Sequence, residues 1–316
     1  MRRGLLLLAA LVATTLRVNG QAQNPVTPTF KSGVEVVTVT ATVRDRKGRL
    51  VKGLSSQDFE VYDGGERRRI TNFRSEPSSV SLAILFDISG SMRVADRVAA
   101  AKFAAHHVLS WLEPGRDEAA LLAFDSALHE VAPFTVDTRA LQGALGEVDP
   151  FGATSLHDAI ATAAKRAASR SPERRRAVIV ITDGLDTASR MTPAAVSAIA
   201  SEIDVPVYVI ATVLPIDHPG REGSLVTTTG TVAEEGNVED LANWTGGAFF
   251  YASAPADTSA AARQMIEELR EQYLIAFEPA GLRGWRPLAI KTRDKGHVVR
   301  SRSGYMAGSS APDNGR

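Results

Sequence analysis

Three short polar segments carry oxygen-bearing side chains in a pattern that suits a metal ion. The first is Asp-Ile-Ser-Gly-Ser at 87–91, directly after the apolar run 80–86. The second is Gly-Ala-Thr-Ser at 152–155, and the third is Thr-Asp-Gly at 182–184, after the apolar run 178–181. In open α/β sheets, ligands bind beyond the carboxyl ends of the strands. We therefore expect the three segments to meet in one site.

The candidate ligands in these segments are all oxygen atoms. They belong to Asp87, Ser89, Ser91, Thr154 and Asp183. Magnesium favours such a set because it takes oxygen ligands in near-octahedral geometry and keeps several waters. The hydroxyls are neutral, so the bound ion would keep enough positive charge to attract a carboxylate from another molecule. The small number of carboxylates favours Mg²⁺ over Ca²⁺, and Mn²⁺ and Ca²⁺ remain the alternatives.

The elements that position these segments alternate between strands and helices from residue 80 to residue 256. Apolar runs such as 177–181 have no polar alternation, which indicates strands buried on both faces of a parallel sheet. The pattern predicts strands at 80–86, 118–124, 130–134, 177–181, 207–211 and 248–251, and helices at 95–112, 138–148, 192–203, 238–244 and 257–272. Another helix begins after Ser155, where Asp158 three residues later predicts a capping box.

The segments on either side of this region have the pattern of β structure. Residues 34–44 alternate with period two, and the glycines at 64–65 predict a hairpin turn between strands at 59–62 and 69–73. Strands are predicted again at 273–277, 288–292 and 298–301. Two or three isolated strands are marginally stable in water, so we expect the flanks to pair into one small β-sandwich-like module. The predicted fold class is α/β, with a doubly wound, mostly parallel sheet inserted between these two β segments.

The N-terminus has the pattern of a secretory signal peptide. Met-Arg-Arg is followed by an apolar stretch at 5–16 and a small-x-small site at 20–22. We expect the protein to be secreted or periplasmic; membrane anchoring by an uncleaved N-terminal segment is the alternative. No other segment is apolar and long enough to predict a membrane span. The predicted organisation is a signal peptide at 1–22, an N-terminal β segment at 23–79, the α/β domain at 80–256, a C-terminal helix and β segment at 257–307 and a disordered tail at 308–316.

Composition excludes several functional classes. Lys plus Arg and Asp plus Glu both number 36, so the net charge is zero and no basic excess indicates a nucleic-acid partner. The chain has no cysteine, which excludes thiol catalysis, thiolate metal sites and disulfides. The long segment 214–236 has no periodicity and follows a predicted strand, so it is either a functional loop at the same sheet edge or an insertion without a role.

The three polar segments resemble a known metal site. Residues 87–92, 152–156 and 181–184 are similar to the three loops of the metal-ion-dependent adhesion site of von Willebrand factor type A (VWA) domains, in the family's order. The resemblance covers about residues 80 to 255. It implies that the two serines and the threonine ligate the ion and that the aspartates bind it directly or through water. An acidic residue of a protein partner would complete the coordination shell.

The flanks resemble a bacterial exported family of VWA-related proteins. This similarity rests on residues 58–65, 272–274 and 302–305. Together with the site, it leads us to expect a non-enzymatic, adhesion-type module that binds an acidic residue of a protein partner.

Two alternatives remain for the function. One is a metal-assisted hydrolase, whose base would have to be Asp125, Asp186 or His157. A Ser89–His157–Asp183 triad is disfavoured because the chain has no G-x-S-x-G motif. The other alternative is a structural or assembly protein of the cell envelope, in which the ion only holds the loops together.

Overall fold

The computed structural model describes residues 36–145, 152–212, 237–281 and 283–308. The predicted signal peptide at 1–22, the segment 214–236 and all but the first residue of the predicted tail lie outside these ranges. Within the described ranges, no helix combines the length and the apolar character needed to cross a bilayer.

The described residues form fourteen strands and six α-helices. The strands are β1 (Val37–Arg44), β2 (Phe59–Asp63), β3 (Glu66–Arg68), β4 (Ile70–Arg74), β5 (Val80–Asp87), β6 (Glu118–Phe124), β7 (Leu128–Thr135), β8 (Arg175–Thr182), β9 (Val207–Thr212), β10 (Phe249–Ala252), β11 (Tyr273–Phe277), β12 (Gly284–Thr292), β13 (Val298–Ser301) and β14 (Gly304–Ala307). The α-helices are α1 (Arg97–Ser110), α2 (Thr138–Ala144), α3 (Leu156–Ala168), α4 (Pro193–Glu202), α5 (Val238–Trp244) and α6 (Pro255–Arg270). Short 3₁₀ helices lie at Ser56–Asp58 and Gly90–Asp96.

A six-stranded sheet forms the centre of the α/β region, in the order β10-β9-β8-β5-β6-β7. Neighbouring strands from β10 to β6 are parallel, and the edge strand β7 is antiparallel to β6. Every residue of β5, β6 and β9 is buried. This burial explains why the apolar runs show no alternation in the sequence. The predicted doubly wound, mostly parallel sheet is confirmed.

Helices cover both faces of this sheet, and β5 contributes side chains to both. Leu82 and Ile84 pack in the core formed with α1, α2 and α6. Ala83 and Leu85 pack in the core formed with α3, α4 and α5. Helix α6, which the sequence analysis grouped with the C-terminal β segment, therefore packs on the central sheet and against α1.

The two flanks pair with each other in a pair of four-stranded sheets, in the orders β13-β1-β11-β4 and β14-β12-β2-β3. N-terminal strand β1 lies between C-terminal strands β11 and β13, and β2 pairs with β12. Side chains from both sheets, including Val39, Phe59 and Tyr273, form a third apolar core. The predicted sandwich-like module, with the α/β region inserted in it, is confirmed.

One β prediction is wrong in its connectivity. We expected a single strand at 69–73 as the second arm of the hairpin. Instead, β3 forms that arm and β4 pairs with β11 in the other sheet, so the chain crosses between sheets at Arg69. The switch of sheet falls in the polar stretch between Arg68 and Ile70, where a period-two pattern does not indicate which sheet each residue joins. The short strand β14 was also not predicted.

Candidate metal centre

The candidate site lies at the carboxyl edge of the central sheet, where β5 ends between β8 and β6. From β5 the chain continues to β6 on one side, while β8 lies on the other, so the site is at a topological switch point. Asp87 is the last residue of β5, and Asp183 directly follows β8. The structure thus brings the first and third predicted segments to adjacent strand ends.

Asp87 is buried, with 1% of its surface exposed. Its Oδ1 accepts a hydrogen bond from the Ser89 backbone N–H at 2.8 Å, and its Oδ2 accepts one from the Thr182 hydroxyl at 2.7 Å. Burial raises the pKa of Asp87 above its ordinary value, and the nearby charge of Asp183 adds to this, against the opposing hydrogen bonds from Ser89 and Thr182. A cation beside Asp87 would relieve that cost because it favours the charged carboxylate.

The hydroxyls of Ser89 and Ser91 lie together, with 3.0 Å between the two Oγ atoms. Two adjacent ligands of an octahedral Mg²⁺, each at 2.0–2.1 Å from the ion, are about 3 Å apart. The serine pair therefore has the spacing of one edge of such an octahedron. The longer bonds of Ca²⁺ would separate adjacent ligands further.

The second segment is hydrogen-bonded to the first. Gly90 donates its backbone N–H to the Gly152 carbonyl at 2.9 Å. Gly152 has a φ of +97°, a left-handed conformation that glycine adopts without strain. A Cβ on Gly90 would lie 3.3 Å from the same Gly152 oxygen, so this approach also requires a small residue.

Thr154 connects the second segment to the third. Thr154 is only 3% exposed. Its backbone N–H donates to the Thr187 hydroxyl at 3.0 Å, and its carbonyl accepts from the N–H groups of Thr187 and Ala188. All five predicted ligands therefore lie in three loops that are joined to one another by hydrogen bonds.

Asp183 has a cationic partner that the sequence analysis missed. Its Oδ2 accepts a hydrogen bond from Arg97 Nη1 at 3.1 Å, and its Oδ1 accepts one from the Leu185 N–H at 3.1 Å. The Asp183 side chain is 2% exposed and that of Arg97 is 17% exposed. Arg97 is the first residue of α1, ten positions after Asp87. No sequence motif marks Arg97 as a partner of Asp183, because the helical pattern accepts a residue of any type at this position.

The predicted capping box of α3 is wrong. The Ser155 side chain caps no helix N–H and instead donates to the Ser126 carbonyl at 3.3 Å. Asp158 accepts hydrogen bonds from the backbone of Arg190 and Met191. The capping-box spacing is present, but both side chains are engaged by neighbouring loops.

The loop after Asp183 caps α3 in their place. Asp186 Oδ1 accepts from the Leu156 N–H at 2.9 Å, and the Ser189 hydroxyl accepts from the His157 N–H at 2.9 Å. Asp186 Oδ2 also lies 3.2 Å from His157 Nδ1. This loop thus fixes the helix that follows Thr154, and with it the position of that predicted ligand.

The side chains proposed for hydrolysis do not form a triad. The hydroxyl of Ser89 contacts Ser91, the ring of His157 contacts Asp186, and Asp183 pairs with Arg97. Asp125 is engaged in its own turn, where Oδ1 accepts from the Ala127 N–H at 2.8 Å. Among the described residues, these side chains therefore do not form a nucleophile with a general base.

The match to a known family coincides with the site. Residues 82–185 match the model of the von Willebrand factor type A domain, and they contain all five predicted ligands. This stretch of the chain is similar to a VWA domain. That similarity supports a protein-interaction module.

Several solved structures resemble this chain at low sequence identity. BatB from Bacteroides thetaiotaomicron is 23% identical, with a TM-score of 0.47 over 60% of this chain and 98% of that one. A von Willebrand factor type A protein from Catenulispora acidiphila is 15% identical, with a TM-score of 0.48 over 88% of this chain and 76% of that one. The pilus adhesin SpaC from Lactobacillus rhamnosus GG is 11% identical, with a TM-score of 0.46 over 78% of this chain and 47% of that one. No curated protein matches the chain.

Proposed function

We propose that this chain is an exported, non-enzymatic binding module that docks an acidic residue of a protein partner through a bound divalent cation. The ion is Mg²⁺, held by Asp87, Ser89, Ser91, Thr154 and Asp183. The observation that carries the proposal is the joining of three separate loops around the buried Asp87 carboxylate. Mn²⁺ and Ca²⁺ are the alternative ions.

The donor set supports docking of a carboxylate. The serine and threonine hydroxyls contribute no charge, and the two aspartates share theirs with hydrogen-bond donors of the protein. The ion would therefore keep positive charge for an external ligand. An Asp or Glu side chain is the hard, anionic oxygen ligand that Mg²⁺ prefers.

The rim of the site supports access by a partner. Gly152 and Ala153 are exposed and small, so they leave the approach to Thr154 open. Leu185 is 53% exposed, two residues after Asp183. A large apolar side chain at the edge of a charged site offers a partner contact area beside the ion.

The proposal for export rests on the N-terminal sequence pattern alone. A basic start, an apolar stretch and a small-x-small site at 20–22 are typical of a secretory signal. We propose a secreted or periplasmic location, with an uncleaved anchor as the alternative.

The first experiment tests the ion. Isothermal titration calorimetry of the full chain should detect one Mg²⁺ site that EDTA reverses. Asp87→Asn and Thr154→Val should each abolish the signal, because the first removes a charge and the second a hydroxyl oxygen, both with little change of side-chain volume. Asp294→Asn, at an exposed turn far from the site in sequence, is the matched control and should bind normally. Circular dichroism verifies that each variant is folded.

The second experiment tests the partner. Immobilised wild-type chain should capture a protein from the exported fraction in Mg²⁺, release it in EDTA and recapture it when Mg²⁺ is restored. Asp87→Asn should capture none. Full capture after verified metal removal would contradict the proposal. A large rise in melting temperature with Mg²⁺ and no ion-dependent partner would favour the structural alternative.

A further inference from the structure

A cavity of about 340 Å³ lies at the seam between the β-sandwich and the edge of the central sheet. We call it the seam cavity. Its walls come from the end of β1 and the following turn, from β13, and from the start of β10. The residues that matter for its chemistry are Arg44, Arg46, Lys47, Arg300, Phe249 and Val298. Its volume is within the range of small-ligand pockets.

The floor of the seam cavity has more positive than negative charge. Arg44 and Arg300 both bind the carboxylate of Glu268, which is fully buried on α6. One carboxylate thus serves two guanidinium groups. The hydrogen bonds of Arg44 to Glu268 and to the Gly48 carbonyl use three of its five N–H donors. Partly buried cations in excess are costly unless an anion compensates them.

The mouth of the seam cavity adds two cations. Arg46 and Lys47 are exposed in the turn after β1, and in the described part of the chain neither lies within ion-pair distance of a carboxylate. Asp45, the one acid of this turn, also lines the cavity, but its carboxylate pairs with Arg49 and accepts the backbone N–H of Lys47. The field at the mouth therefore attracts anions.

The remaining wall is apolar. Phe249 is half-buried and Val298 is 48% exposed. Asn243 and Gln264 also line the cavity, and Gln264 Nε2 donates to Glu268 Oε1 at 3.2 Å. An apolar wall with a few convergent polar groups is the general pattern of a small-molecule site.

We propose that the seam cavity binds a small organic anion. A carboxylate or phosphate group contacts Arg44, Arg300 and the two cations of the turn, and an apolar group rests on Phe249 and Val298. Because the cavity has walls from both the sandwich and the α/β region, the ligand bridges them. This site is separate from the proposed cation site and does not depend on it.

The test uses phenyl phosphate, benzoate, inorganic phosphate and the neutral benzyl alcohol as probes, in calorimetric titrations of the full chain. We expect phenyl phosphate and benzoate to bind in a one-to-one ratio, inorganic phosphate to bind more weakly, and benzyl alcohol not to bind. The first two distinguish phosphate from carboxylate ligands. Absence of binding by both organic anions overturns the proposal, and so does equal binding by benzyl alcohol.

Two variants locate the site. Arg46→Gln with Lys47→Gln should weaken binding by about three- to tenfold, because two exposed charges are removed. Val298→Glu places a negative charge, of the same sign as the ligand, at the exposed mouth and should weaken binding further. Arg139→Gln with Arg190→Gln removes two exposed arginines that do not line the cavity and should leave affinity unchanged. Equal affinity in the wild type and both cavity variants, with folding verified by circular dichroism, overturns the assignment to this cavity.

Discussion

Arg97 and a bound cation would compete for the same carboxylate. Arg97 Nη1 donates to Asp183 Oδ2 at 3.1 Å, and Asp183 is one of the proposed ligands. The guanidinium and a dication also repel each other at close range. We therefore predict that Arg97→Gln strengthens Mg²⁺ binding, although the substitution removes an ion pair from the site.

The magnitude follows from the exposure of the pair. A hydrogen bond to a charged group contributes about 1.5–3 kcal/mol net. Arg97 is 17% exposed, so solvent screening favours the lower end of that range. About 1.5 kcal/mol corresponds to roughly a tenfold gain in the association constant for Mg²⁺. Without Mg²⁺ the variant should be less stable than the wild type, because the Asp183 carboxylate stays buried without its partner.

Calorimetric titration with Mg²⁺ measures the affinity, and urea unfolding with and without Mg²⁺ measures the stability. Arg190→Gln is the matched control, since Arg190 is exposed on the loop after Asp183 and its substitution leaves the Arg97–Asp183 pair intact. An unchanged or weaker Mg²⁺ affinity in Arg97→Gln would refute the competition. Arg97 would then hold Asp183 in position for the ion.

Two further predictions concern the sandwich contact and the rim. Despite burial, Arg300 and Arg44 hold the pKa of Glu268 below its ordinary value of 4.5. The charged form of Glu268 therefore stabilises the fold fully above about pH 4.5. This stabilisation is lost as the pH falls through the lowered pKa that Glu268 has in the folded protein. Glu268→Gln should lower the free energy of unfolding, measured with urea at pH 7, by about 3–5 kcal/mol and should flatten this acid dependence. The exposed control Glu267→Gln should lower it by under about 0.5 kcal/mol. A similar loss for both variants would contradict the buried triad of Glu268, Arg44 and Arg300. Leu185→Ser should weaken partner binding about fivefold, because burying the exposed half of a leucine contributes about 1 kcal/mol. Its Mg²⁺ affinity should equal that of the wild type; a loss of both would show that Leu185 supports the ion site instead.

Local sequence pattern was sufficient for most elements of the α/β region. The apolar runs that become β5, β8 and β9 are buried on both faces, so their composition alone distinguishes them from surface strands. Thr192 and Pro193 predicted the start of α4, and the Thr192 side chain accepts the Ala195 N–H there. These signals are local because each depends only on residues that are close together in the sequence.

Local pattern was insufficient where a side chain had two competing partners. Ser155 and Asp158 have the spacing of a capping box, yet the loop containing Asp186 and Ser189 caps α3. The prediction of a single strand at 69–73 was wrong for a similar reason. The sequence does not indicate which of the two sheets a strand joins, and the chain crosses between them at Arg69. In each case the choice depends on residues that approach only in the folded chain.

The sequence by itself determined the strands that end at Asp87 and Thr182, the order of the three polar loops and the type of chemistry their oxygens can perform. Tertiary structure alone decided that Arg97 pairs with Asp183 and that Glu268 is shared by Arg44 and Arg300. Glu268 and Arg44 are separated by 224 residues, so no local periodicity can report their contact. Charged side chains look alike along a sequence, and only folding determines which of them lose water and must find a partner.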